Sequence, residues 1–297
     1  VKLNIPMMAI ETVAAGGGSV VDFDGVNMRV GPESAGSNPG PACYKKGGPL
    51  TVTDCNVLLG KIRPGYFPKT FGVDNKQEID TAEVIKKFES LTKAINDSSD
   101  TDMSSEDVAE GFIHIAVSKM ADAIRKISTQ KGIDLSNYVL NCFGGAAGQH
   151  ACQVADALGI STILIDENAS LLSAVGVGCA KISEIKEETI NIQFSEKALQ
   201  RTRTRVLEVK KQLSKKLLEQ GIVEENQETL ISFRLKYEGT DDSLEVTLAS
   251  YREMNSQFEK KYNERYGFLE KDSTIIIASV LVETIGQENK EDESFTL

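Results

Sequence analysis

Two glycine clusters, about 125 residues apart, hold the residues best suited to chemistry. The first is Gly16-Gly17-Gly18-Ser19. The second runs Phe143-Gly144-Gly145-Ala146-Ala147-Gly148-Gln149-His150. Glycine leaves the backbone bare, so a ligand can lie against main-chain amides. A helix that opens just after such a turn adds unpaired N–H groups and the positive end of its dipole. Phosphate or nucleotide binding is the chemistry this geometry serves. A tight turn that packs without a ligand serves equally well for either cluster taken alone, as does a bulge or close strand crossing around the triple glycine.

The elements that must position these turns follow from hydrophobic spacing. Tyr138 to Phe143 reads as a strand that stops at Gly144. Ala151, Val154, Ala155 and Leu158 recur at helical intervals, and Gly159 ends that helix. Thr12 to Ala15 reads as a strand entering the triple glycine. Val20-Val21 and Val26 to Val30 form a hairpin around Asp24-Gly25. Residues 31 to 49, rich in glycine and proline, form an irregular loop of the kind that often carries function. Leu50 to Asp54 reads as a short strand, with Asp54 either bridging a metal or, as the sequence favours, capping the helical turn at Val57 to Leu59. Helices are expected over residues 80–95 and from Glu106 toward Gly132, separated by a polar loop at 96–105. His114 falls at the edge of the second helix's apolar stripe. Ser161 to Ile165 reads as a buried strand and Leu171 to Ala180 as a tightly packed helix start.

Composition shifts after about Ile190. A charged helix over residues 196–219, an alternating hairpin at 231–237 and 244–248, a helix at 251–262 and a strand at 273–284 make a small α+β unit, followed by an acidic tail. The expected division is residues 1–190 and 191–297. The 297 residues carry a net charge of −11, which argues against a nucleic-acid surface. The five cysteines show no CxxC spacing, so neither a zinc site nor a disulfide framework is expected, and free thiols in a reducing cytoplasm is the simplest account. No apolar run approaches a membrane span. The chain opens at Val1 without an initiator Met, so processing or a longer parent is expected.

Six motifs in one order carry a resemblance. They are Thr12 to Ser19 (TVAAGGGS), Gly31 to Tyr44 (GPESAGSNPGPACY), Leu50 to Asn56 (LTVTDCN), Phe143 to Cys152 (FGGAAGQHAC), Leu172-Ser173-Ala174 and Leu235 to Asp241 (LKYEGTD). With Phe67 to Gly72 (FPKTFG), the chain resembles the hydantoinase A/5-oxoprolinase family from Ile10 to about Phe268. The resemblance implies an α/β fold, one ribonuclease-H-like half of an actin/hexokinase/Hsp70-type ATPase, plus the small C-terminal α+β domain. It implies ATP and Mg²⁺ as cofactors, and hydrolysis of 5-oxo-L-proline or a similar cyclic amide. It further implies a homo-oligomer, with partners in an N-terminal half and a hydantoinase B-like half.

On that resemblance, Gly16, Gly17, Gly18 and Ser19 form a phosphate loop, and Gly144 and Gly145 lie on the adenosine side. Gln149 and His150 face the cleft, and Glu33 and Asp54 are the nearest acids for metal or water. The sequence departs from the family pattern at Ala9, at Val117-Ser118 and near Asp166-Glu167-Asn168, each time losing a polar group. The first phosphate loop, Asp-Gly-Gly-Thr-like in the family, has no counterpart here. A diverged, non-catalytic binding or assembly module, or a related ATP-dependent hydantoinase, therefore stays open beside the enzyme reading.

Overall fold

The computed structural model describes residues 10–130, 132–270 and 273–287. Ala9 and the acidic tail beyond Gln287 lie outside these. The chain divides into two compact units, residues 10–175 and residues from 176 onward.

In the first unit, β1 (Ser19–Phe23) and β2 (Met28–Ser34) pair antiparallel, with Val21 opposite Val30 and Phe23 opposite Met28. Asp24 closes the hairpin turn by accepting from the amides of Val26 and Asn27 at 2.9 and 2.7 Å. The strand expected at Thr12 to Ala15 does not form. Only Ala15 of this stretch is buried, and it has no strand partner among the described residues. The strand expected at Leu50 to Asp54 is also replaced. Thr51 alone keeps a bridge to Val20, and Val52–Leu58 is a helix, α1. Thr51 and Asp54 form a capping box, a local signal that starts a helix three residues earlier than apolar spacing shows. Thr51, not Asp54, is therefore the N-cap.

Helix α2 (Thr81–Ser99) is capped by Asp80, whose carboxylate accepts from Glu83 N at 3.0 Å. Helix α3 spans Ser105–Gln130. The polar loop between them is shorter than expected, because α2 continues through Asn96, whose side chain then ties Thr101 and Met103. Strand β3 (Val139–Asn141), helix α4 (Ala151–Leu158) and strand β4 (Thr162–Leu164) make a parallel βαβ unit. Gly159 ends α4 at φ 70°, a conformation glycine adopts freely. Val30, Val52, Cys55, Phe88, Phe112 and Val154 belong to one core that joins the hairpin to the helices.

Two expectations of burial fail here. Leu164 is 54% and Ile165 58% exposed, because β3 is the only strand paired with β4 among the described residues. Helix α5 (Leu172–Cys179) is exposed from Ser173 onward, and Gly176 and Gly178 have open space around them rather than a close neighbour.

The second unit holds β5 (Ser183–Gln193), α6 (Glu196–Glu219), β6 (Gln227–Tyr237), β7 (Leu244–Thr247), α7 (Tyr251–Tyr266) and β8 (Ile275–Gly286). The sheet is antiparallel, in the order β5-β8-β6-β7. Helices α6 and α7 contribute Val206, Leu213, Met254 and Phe258 to its core, beside Phe233 and Val280. By its contacts the second unit begins at Gly176, and β5, unanticipated from sequence, pairs along most of β8. Among the described residues, no helix is long and apolar enough to cross a membrane.

Candidate functional site

The triple glycine is a closed turn. Ser19 N donates to Gly16 O at 2.9 Å, and Gly16 N donates back to Ser19 Oγ at 3.0 Å. Its carbonyls face neighbours that fix it. Gly17 O accepts from Thr53 N and from Thr53 Oγ1, each at 2.9 Å, and Gly18 O accepts from Ala35 N at 2.8 Å. A Cβ at Gly17 would stand 2.8 Å from Thr53 Oγ1, so this glycine is required by close approach. With the carbonyls engaged, the amides of Gly17 and Gly18 have no protein acceptor among the described residues.

The second cluster sits between β3 and α4. Gly144, at φ 103°, turns the chain while its amide donates to Ala169 O at 2.7 Å. A single 3-10 turn at Ala147–Gln149 then leads into α4. The two clusters meet across one cavity of about 390 Å³, within the range of small-molecule sites. Its lining joins Gly16 and Gly17 to Ala146, Gln149 and His150, over apolar walls that include Met120 and Ile124. No acidic or basic side chain lines it, His150 being held neutral as shown below.

Helix α1 ties these parts together. Thr53 holds the glycine loop. Asp54, fully buried, accepts from Ala42 N (3.1 Å), Cys43 N (2.8 Å), Thr51 N (2.8 Å) and Thr51 Oγ1 (2.9 Å), which fastens the irregular 31–49 loop to the helix. Asn56, 1% exposed, donates from Nδ2 to Gln149 Oε1 at 2.7 Å and stands 3.2 Å from His150 Nε2. Two further polar atoms of that cluster, Asn56 Oδ1 and His150 Nδ1, are buried without a partner. Burial, with Lys61 nearby, holds the His150 imidazole below its ordinary pKa, so the ring is neutral at pH 7. Burial and the Asp54 carboxylate push the thiols of Cys43 and Cys55 far up, so neither is a nucleophile.

Of the site residues expected from sequence, Gly16, Gly17, Gln149 and His150 line the cavity. Gly18 and Ser19 complete the turn beside it. Gly144 and Gly145 flank the lining in sequence but do not join it. Glu33 is exposed on β2 and does not line it either. Both oxygens of Asp54 are occupied by the chain itself. Among the described residues, no three His, Cys, Asp or Glu side chains gather to hold a metal. Val117 lies in the core and Ser118 on the surface of α3, so neither departure falls on the cavity. Asn56 was missed as a site residue; its place in LTVTDCN, two positions after Asp54, was the available signal.

A cavity with bare glycine amides on one side and a helix start on the other, in a mixed α/β unit, has the size of a small-molecule site. The chain belongs to the hydantoinase/oxoprolinase family, whose sequence model matches residues 1–186. It is 37% identical over 295 residues to 5-oxoprolinase 1 of Arabidopsis thaliana, covering 96% of this chain and 23% of that protein. It is 38% identical over 288 residues to the 5-oxoprolinase of Saccharomyces cerevisiae, covering 96% of this chain and 22% of that protein. The crystal structure of ATP-dependent caprolactamase from Pseudomonas jessenii matches with a TM-score of 0.79 at 26% identity, over 97% of this chain and 42% of that one. The chain thus spans less than a quarter of the curated relatives it matches first.

Proposed function

We propose that this chain supplies an ATP-binding wall within an ATP-dependent 5-oxoprolinase, which opens 5-oxo-L-proline, or a similar cyclic amide, to an amino acid. One observation carries the reading. The cavity brings the unpaired amides of the glycine turn and the start of α4 to one space that no carboxylate lines. Such a space suits a ligand that is anionic at one end and flat and apolar at the other, as a nucleotide is. Coupling to ATP has a chemical purpose. An amide is a poor electrophile, and phosphorylating its oxygen gives water a leaving group to displace. In-line phosphoryl transfer needs placement and charge stabilisation more than covalent help from the protein.

In this reading Gly17 and Gly18 donate amides to phosphate oxygens, Gly16 closes the turn through Ser19 Oγ, and Gln149 and His150 face the same ligand from the start of α4. Ser19 shapes the turn. Asp54 acts as a staple for the site rather than as a base. The hairpin β1–β2 followed by the β3-α4-β4 unit supports a ribonuclease-H-like half of an actin/hexokinase/Hsp70-type fold. The names of the relatives support the substrate class, and the free thiols suit a cytoplasmic protein. Glutamate formation would draw on an N-terminal half, a hydantoinase B-like half and a homo-oligomeric partner.

Calorimetric titration with ATP tests the reading. Gly17→Val forces its side chain against Thr53 Oγ1, and the expected loss of affinity is at least tenfold, the equivalent of about 1.4 kcal/mol. Equal ATP affinity in a folded Gly17→Val variant would remove the glycine turn from the site.

A further inference from the structure

Asn56 is a buried amide with two jobs and one unused atom. Its Nδ2 lies 2.7 Å from Gln149 Oε1 and 3.2 Å from His150 Nε2, while its Oδ1 meets nothing. An amide nitrogen can only donate. His150 Nε2 must then carry the lone pair, and the proton of the neutral ring sits on Nδ1, the buried atom with no acceptor. Gln149, bound through Oε1, keeps its Nε2 hydrogens uncommitted among the described residues.

The alternative arrangement is a concerted one. Two carbonyl oxygens cannot rest 2.7 Å apart, so turning over the Asn56 amide requires turning over Gln149 as well and moving the His150 proton to Nε2. The three side chains thus have two self-consistent settings. One leaves the Gln149 Nε2 donor unpartnered at the cavity lining and the other leaves the Gln149 Oε1 acceptor there.

We propose that Asn56 is a positioning residue that sets this polarity: it holds His150 as the Nδ1–H tautomer and Gln149 with Nε2 free, so that the site receives an acceptor oxygen. The recognised group is then a phosphoryl oxygen and not an amine or amide N–H. This deepens the nucleotide reading of the cavity and rests on it for the identity of the ligand, while the tautomer is decided without any ligand.

The chain has only two histidines, and His114 is exposed, which makes the test direct. In a chain labelled with ¹⁵N-histidine at pH 8, the His150 ring is expected to show a protonated Nδ1 and an unprotonated Nε2, with His114 as the reference. Asn56→Asp presents only acceptor oxygens, so the His150 proton is expected to move to Nε2 and the ATP Kd to rise roughly tenfold. Gln149→Glu keeps the bond from Asn56 but replaces the free donor with oxygen. It should weaken ATP binding with the His150 spectrum unchanged, and its part-exposed position leaves the core intact. A His150 protonated at Nε2 in the unsubstituted chain would overturn the proposal. So would a tautomer that ignores Asn56→Asp in a folded chain, or ATP affinity unmoved by both variants. If the unsubstituted chain binds no ATP, the nucleotide reading fails, and the ring-nitrogen spectra still decide the role of Asn56.

Discussion

Thr53, Asp54 and Asn56 fall within four positions of one helix, yet each fastens a different loop. Thr53 holds the Gly17 carbonyl, Asp54 the amides of residues 42, 43 and 51, and Asn56 the pair Gln149 and His150. Removing the Asp54 carboxylate leaves the buried N–H groups of Cys43 and Thr51 without acceptors, each costing about 1–3 kcal/mol, while Ala42 N keeps Pro49 O at 2.9 Å. Asp54→Ala is therefore expected to lower stability by about 2 kcal/mol or more in urea denaturation; a change under about 1 kcal/mol would show that water or rearrangement replaces the carboxylate. His150 gives a pH dependence. Its folded pKa lies below the ordinary 6.5, so the unfolded chain binds the extra proton first as pH falls. The contribution to stability is complete above pH 6.5 and is lost as pH drops through the folded value. His150→Gln should thus flatten the fall in stability between pH 7.5 and pH 5, read from denaturation midpoints at each pH.

At the scale of elements, local signals decided what sequence could show. Helices α2, α3, α6 and α7 stand close to where apolar spacing and capping residues put them, because those signals lie within each helix. The glycine after α4 was equally readable. What sequence could not show depends on partners distant in the chain. Leu164 and Ile165 have the composition of a buried strand, but burial is set by what packs on the strand and not by its own residues. Strand β5, with Glu184, Lys186, Glu187 and Glu188, reads as polar, and it is a strand because β8 pairs with it. The cavity was half legible. Each glycine cluster was visible, but their meeting, and the bridge made by Asn56, needed three dimensions. The 31–49 loop behaves as an element in its own right. Gly48 packs so closely on Gly40 that a Cβ there would collide with the Gly40 carbonyl, while Lys87 Nζ holds Gly48 O at 2.6 Å. Gly48→Ala is expected to cost about 1–3 kcal/mol, as overpacking does. It should also raise amide exchange in residues 40–49, and unchanged exchange there would show that the loop absorbs the methyl.

At the scale of the molecule, two cores lie in two units and share no residue. One gathers side chains between Val21 and Val154, with Phe112 fully buried at its centre; the other gathers side chains between Phe194 and Val282, with Phe258 fully buried. The family match ends at residue 186, close to the point where the second unit's sheet begins at Ser183. Cooperativity follows shared packing, so chains with separate cores depart from a single transition. Deleting either phenylalanine ring removes about 3–5 kcal/mol from its own core. Calorimetry is therefore expected to resolve two transitions. Phe112→Ala should lower one of them and leave the other in place, and Phe258→Ala should do the reverse. If ATP binds the first unit as proposed, it should raise only the transition that Phe112→Ala lowers. If either substitution moved both transitions together, the two cores would be one cooperative body, and the cavity's stability would depend on the C-terminal sheet as much as on α1.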